Sequence, residues 1–109
     1  MWYIVLSKET GKQELQKLHT EVHRKWLADQ HRAGRLLFSG PTADRAYGVY
    51  IMLAPSRSDA ERAAAEDPFH IHGVRTMEIL EWNPLHAFRL DGPTLADVER
   101  MATDNKDRQ

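Results

Sequence analysis

A chain of 109 residues fits one domain, because dividing it leaves pieces too small to bury a useful core. Apolar residues at 41% and charged residues at 28% lie near globular averages, which argues against wholesale disorder and against membrane insertion. Fifteen Lys and Arg against sixteen Asp and Glu give a net charge of −1 with no basic stripe, so nucleic acid is not an expected partner, and the lack of cysteine removes disulfides, thiolate zinc sites and thiol nucleophiles.

Met1 to Leu6 is an apolar run too short for a signal peptide and without a basic leader, so it reads as a strand of a soluble, cytoplasmic protein. Trp2 to Leu6 is apolar at every position, and both of its faces need cover. From Gln13 to Ala33, Leu15, Leu18, Val22, Trp26 and Ala33 fall on one stripe of a long amphipathic helix, which Gly34 ends. Arg35 to Ser39 reads as a second strand and Gly48 to Ala54 as a third, joined through a turn at Gly40 to Asp44. Ser58 and Glu61 have capping-box spacing, so a second helix starts near Asp59 and runs through Ala65, with Pro68 marking its end. Val74 to Trp82 alternates as a fourth, partly exposed strand, and Asn83-Pro84 closes a compact unit of residues 1–84. In residues 85–109, Asp91-Gly92-Pro93 is a turn, Thr94 caps a short helix to about Met101, and the polar end frays.

The order β-α-β-β-α-β is the ferredoxin-like arrangement of an α+β domain, a four-stranded antiparallel sheet carrying both helices on one face. Strands apolar on both sides leave the other face in need of cover, and a second copy is the expected occupant, sheet against sheet. The alternative is that the C-terminal segment folds back over it.

Six histidines exceed the roughly two that ordinary usage supplies. His19 and His23 lie four residues apart on one edge of the first helix's apolar stripe, where an imidazole borders the core and can act as acid or base if a partner fixes its tautomer. Asp67 precedes a proline beyond the second helix, where the helix dipole disfavours a carboxylate, so something other than capping is expected to want it. A plain boundary histidine and an exposed aspartate are the structural alternatives. A metal site through His19 and His23, with His70 or His72 added, is a further alternative, although no HExxH pattern accompanies the pair. No GxSxG elbow surrounds Ser39, and no P-loop or GxGxxG is present, so no nucleotide or flavin cofactor is expected.

His23, Ala33-Gly34-Arg35-Leu36-Leu37, Ser39-Gly40-Pro41, Gly48, the Ser58 to Ala65 helix, Asp67-Pro68-Phe69, Gly73-Val74 and Glu81-Trp82 occur in the order and spacing of the YciI-like family, which the chain resembles over Met1 to Pro84. The resemblance implies a dimeric α+β barrel, related to muconolactone isomerase-like proteins, with His23 and Asp67 as an acid/base dyad in a cleft beside the sheet. It further implies a small enzyme that needs no cofactor, a lyase of the chlorohydroxyhydroquinone dehydrochlorinase kind or an isomerase, acting on a small oxygenated aromatic-pathway intermediate. Ser39, Arg35 and His19 are candidate substrate contacts, while Trp2, Phe38 and Trp82 read first as packing residues. A non-catalytic small-molecule-binding or accessory protein is the competing reading. The short turn between the second and third strands and the segment after Pro84 depart from the family pattern and bear on the pocket and the assembly.

Overall fold

The computed structural model describes residues 1–85 and Arg100. Its elements are β1 (Trp2–Glu9), α1 (Gln13–Arg32), β2 (Leu36–Pro41), β3 (Tyr47–Leu53), α2 (Arg57–Ala65), α3 (Pro68–Ile71) and β4 (Arg75–Trp82). Apart from Arg100, the predicted C-terminal turn and helix lie outside the described residues. The four strands form one antiparallel sheet in the order β2-β3-β1-β4, so each long helix crosses over a strand to reach its next one, as the ferredoxin-like order requires. No helix among the described residues is long and apolar enough to cross a membrane.

Register divides each strand between two faces. Tyr3, Val5 and Ser7 of β1 pair with Met52, Tyr50 and Gly48 of β3, and these side chains face the helices. Tyr3, Val5, Tyr50 and Met52 are buried there with Leu36, Ile79, Ala60 and Ala64, and Trp26 and Leu27 of α1 pack onto them. Ile4 and Leu6 belong to the opposite face, beside Ile51 and Val49 on one side and Leu80 on the other. Phe38, level with Ile51, is 66% exposed, and Leu80 and Trp82 are exposed with it. The expected apolar second face therefore exists, and nothing within the described chain covers these side chains.

Three local features differ from the sequence reading. Cap residue Ser56, not Ser58, opens α2: it is extended after Pro55, and its Oγ accepts from Asp59 N at 3.1 Å. Glu61 instead accepts from Arg57 Nε at 3.0 Å, one turn back along the helix. The inward face of α1 is also rotated from the expected stripe. Leu18 and Val22 are 72% and 49% exposed, while His23, Trp26, Leu27 and Gln30 turn inward. Finally, the stretch after Asp67 is not a plain terminus but a separate turn of helix, α3, with Pro68 at its first position. Proline is pre-set for that position because its missing N–H has no intrahelical partner to lose.

Candidate active site

Asp67 occupies the junction of α2 and α3 with extended backbone (φ −59°, ψ 125°), as its place before proline dictates. Its Oδ1 accepts from Phe69 N at 2.9 Å, so the carboxylate is the N-cap of α3. Contrary to the expectation that something other than capping wants it, Asp67 is a cap, because at the start of α3 its carboxylate satisfies an orphan N–H. Asp67 is fully buried, and the same Oδ1 lies 2.7 Å from His23 Nδ1. A carboxylate oxygen accepts, so His23 Nδ1 carries the proton and donates it, which leaves Nε2 without a partner among the described residues. Phe69 also lies flat against the His23 imidazole, ring centres 3.9 Å apart and 9° from parallel, which fixes the ring plane. One turn earlier, His19 stacks in the same way on His72, at 3.8 Å and 4°. The histidine edge of α1 thus docks on α3 through two parallel stacks.

His23 lines a cleft of about 240 Å³ between α1, the sheet and the β2–β3 turn. Ser7, Tyr50, Phe69 and three arginines, Arg24, Arg45 and Arg75, share its walls. Arg75 reaches across from β4, donates from Nη1 to Ser7 O at 3.1 Å, and lies over the Phe69 ring at 5.5 Å. Gly48 makes room for it, since a Cβ at that position would stand 3.2 Å from Arg75 Nη1. Arg45 sits at the tip of the turn in the left-handed region, φ 65°. Asp44, just before it, accepts from Ala46 N at 3.0 Å and Thr42 Oγ1 at 2.7 Å, bonds that hold its carboxyl below the usual aspartate range and tie the turn together.

The other sequence candidates lie elsewhere. Ser39 Oγ is 2.8 Å from His31 Nε2, near the C-terminal end of α1. Arg35 donates to Gln30 Oε1 at 3.2 Å and lines a separate cavity of about 380 Å³ with Ala54, Asp59, Arg62 and Glu66. That cavity is larger but holds no histidine or nucleophile among its described lining residues. His19 is engaged with His72 and is not part of the His23 cleft. No three His, Asp or Glu side chains among the described residues converge where they could hold a metal ion. Sequence reasoning passed over Ser7, Tyr50 and Arg75. The available signal for Ser7 was its parity with Tyr3 and Val5, which puts it on their face of β1.

The YCII-related domain model matches residues 1–83, which span both members of the His23–Asp67 pair. The protein belongs to the YCII-related family. No curated protein sequence matches the chain. Among solved structures, this YCII-related chain is similar in fold to 5-chloro-2-hydroxyhydroquinone dehydrochlorinase (TftG) from Burkholderia phenoliruptrix AC1100, in complex with 2,5-dihydroxybenzoquinone. The TM-score is 0.66 at 19% identity, over 76% of this chain and 94% of the dehydrochlorinase.

Proposed function

We propose that this YCII-related protein is a small acid/base enzyme, working without a cofactor, in which His23 takes a proton from a hydroxyl or an acidic C–H of a small oxygenated ring. The observation that carries the reading is the 2.7 Å contact between His23 Nδ1 and the buried Asp67 carboxylate at a cleft that His23 lines. With Nδ1 committed to Asp67, Nε2 is a lone pair available to substrate, and the carboxylate offsets the charge on the imidazolium that proton transfer creates. The electron pair left behind then expels a leaving group such as chloride, or is reprotonated at another carbon by His23. Positioned acid/base catalysis of this kind supplies about 100-fold to 10,000-fold in rate. The arginines around the cleft favour the anionic form of the substrate. The likeness to the dehydrochlorinase supports the fold, and its named reaction, loss of HCl from a chlorinated hydroxyhydroquinone, is one that this base would suit.

The test compares wild type with His23→Ala and Asp67→Asn on a panel of hydroxylated and halogenated rings, following ring absorbance and chloride release. Both variants are expected to lose most of the turnover. Equal turnover in all three proteins contradicts the dyad, and tight binding with no turnover favours a binding role.

The same reading includes self-association. Phe38, Leu80 and Trp82 on the open sheet face, flanked by Ile4, Leu6 and Ile51, form a surface that a two-fold related copy of the sheet would bury.

A further inference from the structure

Ser7 lies in β1 on the helix-facing side, between Gly48 of β3 and Met77 of β4. It is 1% exposed, yet it lines the same cleft as His23. Its Oγ is 2.6 Å from His70 Nε2, and the other nitrogen of that ring, Nδ1, is 2.7 Å from Ala64 O. A backbone carbonyl only accepts, so Nδ1 carries the ring proton and donates it to Ala64. Nε2 of the neutral imidazole is then a lone pair, and the Ser7 hydroxyl is the donor to it. The hydrogen bonds run in one direction, from Ser7 through His70 to Ala64. What Ser7 Oγ keeps for an incoming group is acceptor capacity.

We propose that Ser7 and His70 form a proton relay, separate from His23 and Asp67, that binds a hydroxyl of the substrate and converts it to an oxyanion. The substrate O–H bond breaks as its proton moves to Ser7 Oγ, while the Ser7 O–H bond breaks as that proton moves to His70 Nε2. Serine ends neutral, and its new O–H donates to the substrate oxyanion. The His70 imidazolium donates from Nε2 to Ser7 and from Nδ1 to Ala64 O. No hydrogen bond of the chain is lost, net charge is conserved, and the reverse movement returns the proton.

The groups around the relay favour its charge-separated state on the substrate side. Arg75 from β4 donates to Ser7 O, and Arg24 of α1 and Arg45 of the β2–β3 turn line the cleft. No carboxylate is among the described lining residues; Asp67, the nearby buried acid, is bonded to His23. On β3, the Tyr50 ring is tilted against His70 with centres 6.3 Å apart. Tyr50 is 2% exposed, its hydroxyl has no partner among the described residues, and it lines the same cleft, so a second donor stands ready for an oxyanion. A half-buried cation-lined cleft with two hydroxyls and no carboxylate fits a phenol or an enol. The relay rests on the reading of the cleft as a site for oxygenated rings. It defines the substrate class more narrowly: a ring carrying an ionisable hydroxyl in addition to the position that His23 deprotonates.

The experiment needs no turnover. The probe is 4-nitrophenol, whose phenolate absorbs in the visible, titrated with pH while bound to wild type, Ser7→Ala, His70→Gln and His23→Gln, each checked for native circular dichroism. In wild type the bound probe is expected to ionise about one pH unit below the free probe, a tenfold preference for the phenolate. Ser7→Ala and His70→Gln are expected to lose most of that displacement, and His23→Gln to keep it. Should His70→Gln misfold, Ser7→Ala decides the question, with Ser7→Thr expected to retain the displacement because it keeps the hydroxyl. An undisplaced titration in wild type, a full displacement in Ser7→Ala, loss of it only in His23→Gln, or no binding of the probe to wild type each overturns the relay. Unchanged turnover in His23→Ala would instead remove the proposed enzyme role and leave this result standing.

Discussion

Asp67→Ala probes the residue that joins the fold to the site, because one carboxylate oxygen serves both the α3 cap and the His23 imidazole. Removing it leaves the buried Phe69 N–H without its acceptor, which costs about 1–3 kcal/mol. Loss of the cap is the same bond and is not added again. Against this, the burial cost of the carboxylate disappears with it; its Oδ2 has no partner among the described residues, so that relief is real but partial. The bond to His23 is also lost, and the His23 ring stays stacked on Phe69 with no acceptor for Nδ1. The expected net loss is about 2 kcal/mol, a fall in Tm of roughly 10 °C. Urea unfolding followed through the fluorescence of Trp2, Trp26 and Trp82 measures it. Adding His23→Ala should cost less in the Asp67→Ala background than alone, with a coupling of about 1 kcal/mol. An Asp67→Ala protein within about 0.5 kcal/mol of wild type, the range of an ordinary surface change, would refute the dual role.

Three further outcomes follow from the fold. Ser56→Ala should destabilise by about 1 kcal/mol, as for a lost helix cap, whereas Ser58→Ala should change little; equal effects in denaturant melts would contradict the placement of the cap. Burial pushes the Tyr3 phenol above the usual tyrosine range, with the Glu81 carboxylate adding to it. The folded chain then keeps that proton to higher pH than the unfolded one, so stability is whole below the ordinary tyrosine range and falls as pH rises through the folded value. Tyr3→Phe should flatten this alkaline decline in pH-dependent melts, and an unchanged alkaline limb counts against it. Phe38→Glu should convert a dimer of wild type to a monomer in sedimentation at micromolar protein; a wild-type monomer would show that something other than a second copy covers the open face, residues 86–109 being the alternative.

Element order was legible because the short unbroken apolar runs of β1 and β3, the alternation of β4 and the Gly34 stop of α1 are local signals, and Gly34 does take the positive φ, 76°, that such a stop uses. The α2 cap was misplaced because two serines, Ser56 and Ser58, stand two residues apart, each with an acid three residues on, and only backbone geometry separates them. Counting apolar residues put Leu18 and Val22 inside α1, but the helix turns His23, with Gln16 and Thr20, toward the cleft instead. A polar strip facing the sheet is what a cleft needs and what a hydrophobic-stripe argument misreads. His23 and Asp67 were nominated from their places beside two helices, yet their meeting depends on α3, a four-residue turn with no periodicity to announce it. Ser7 is more than sixty residues of chain away from both His70 and Arg75, and the β1–β4 pairing brings it to them.

The central claim is that Asp67 holds His23 in the Nδ1–H form and leaves Nε2 as the base. Long-range proton–nitrogen correlation spectra of nitrogen-15-labelled protein, recorded above neutral pH, report the tautomer directly. The structure predicts a protonated Nδ1 and a bare Nε2 for His23, reversing the Nε2–H preference of free imidazole side chains, and a loss of that reversal in Asp67→Ala. A His23 found in the Nε2–H form in wild type, or one unchanged by Asp67→Ala, would contradict it.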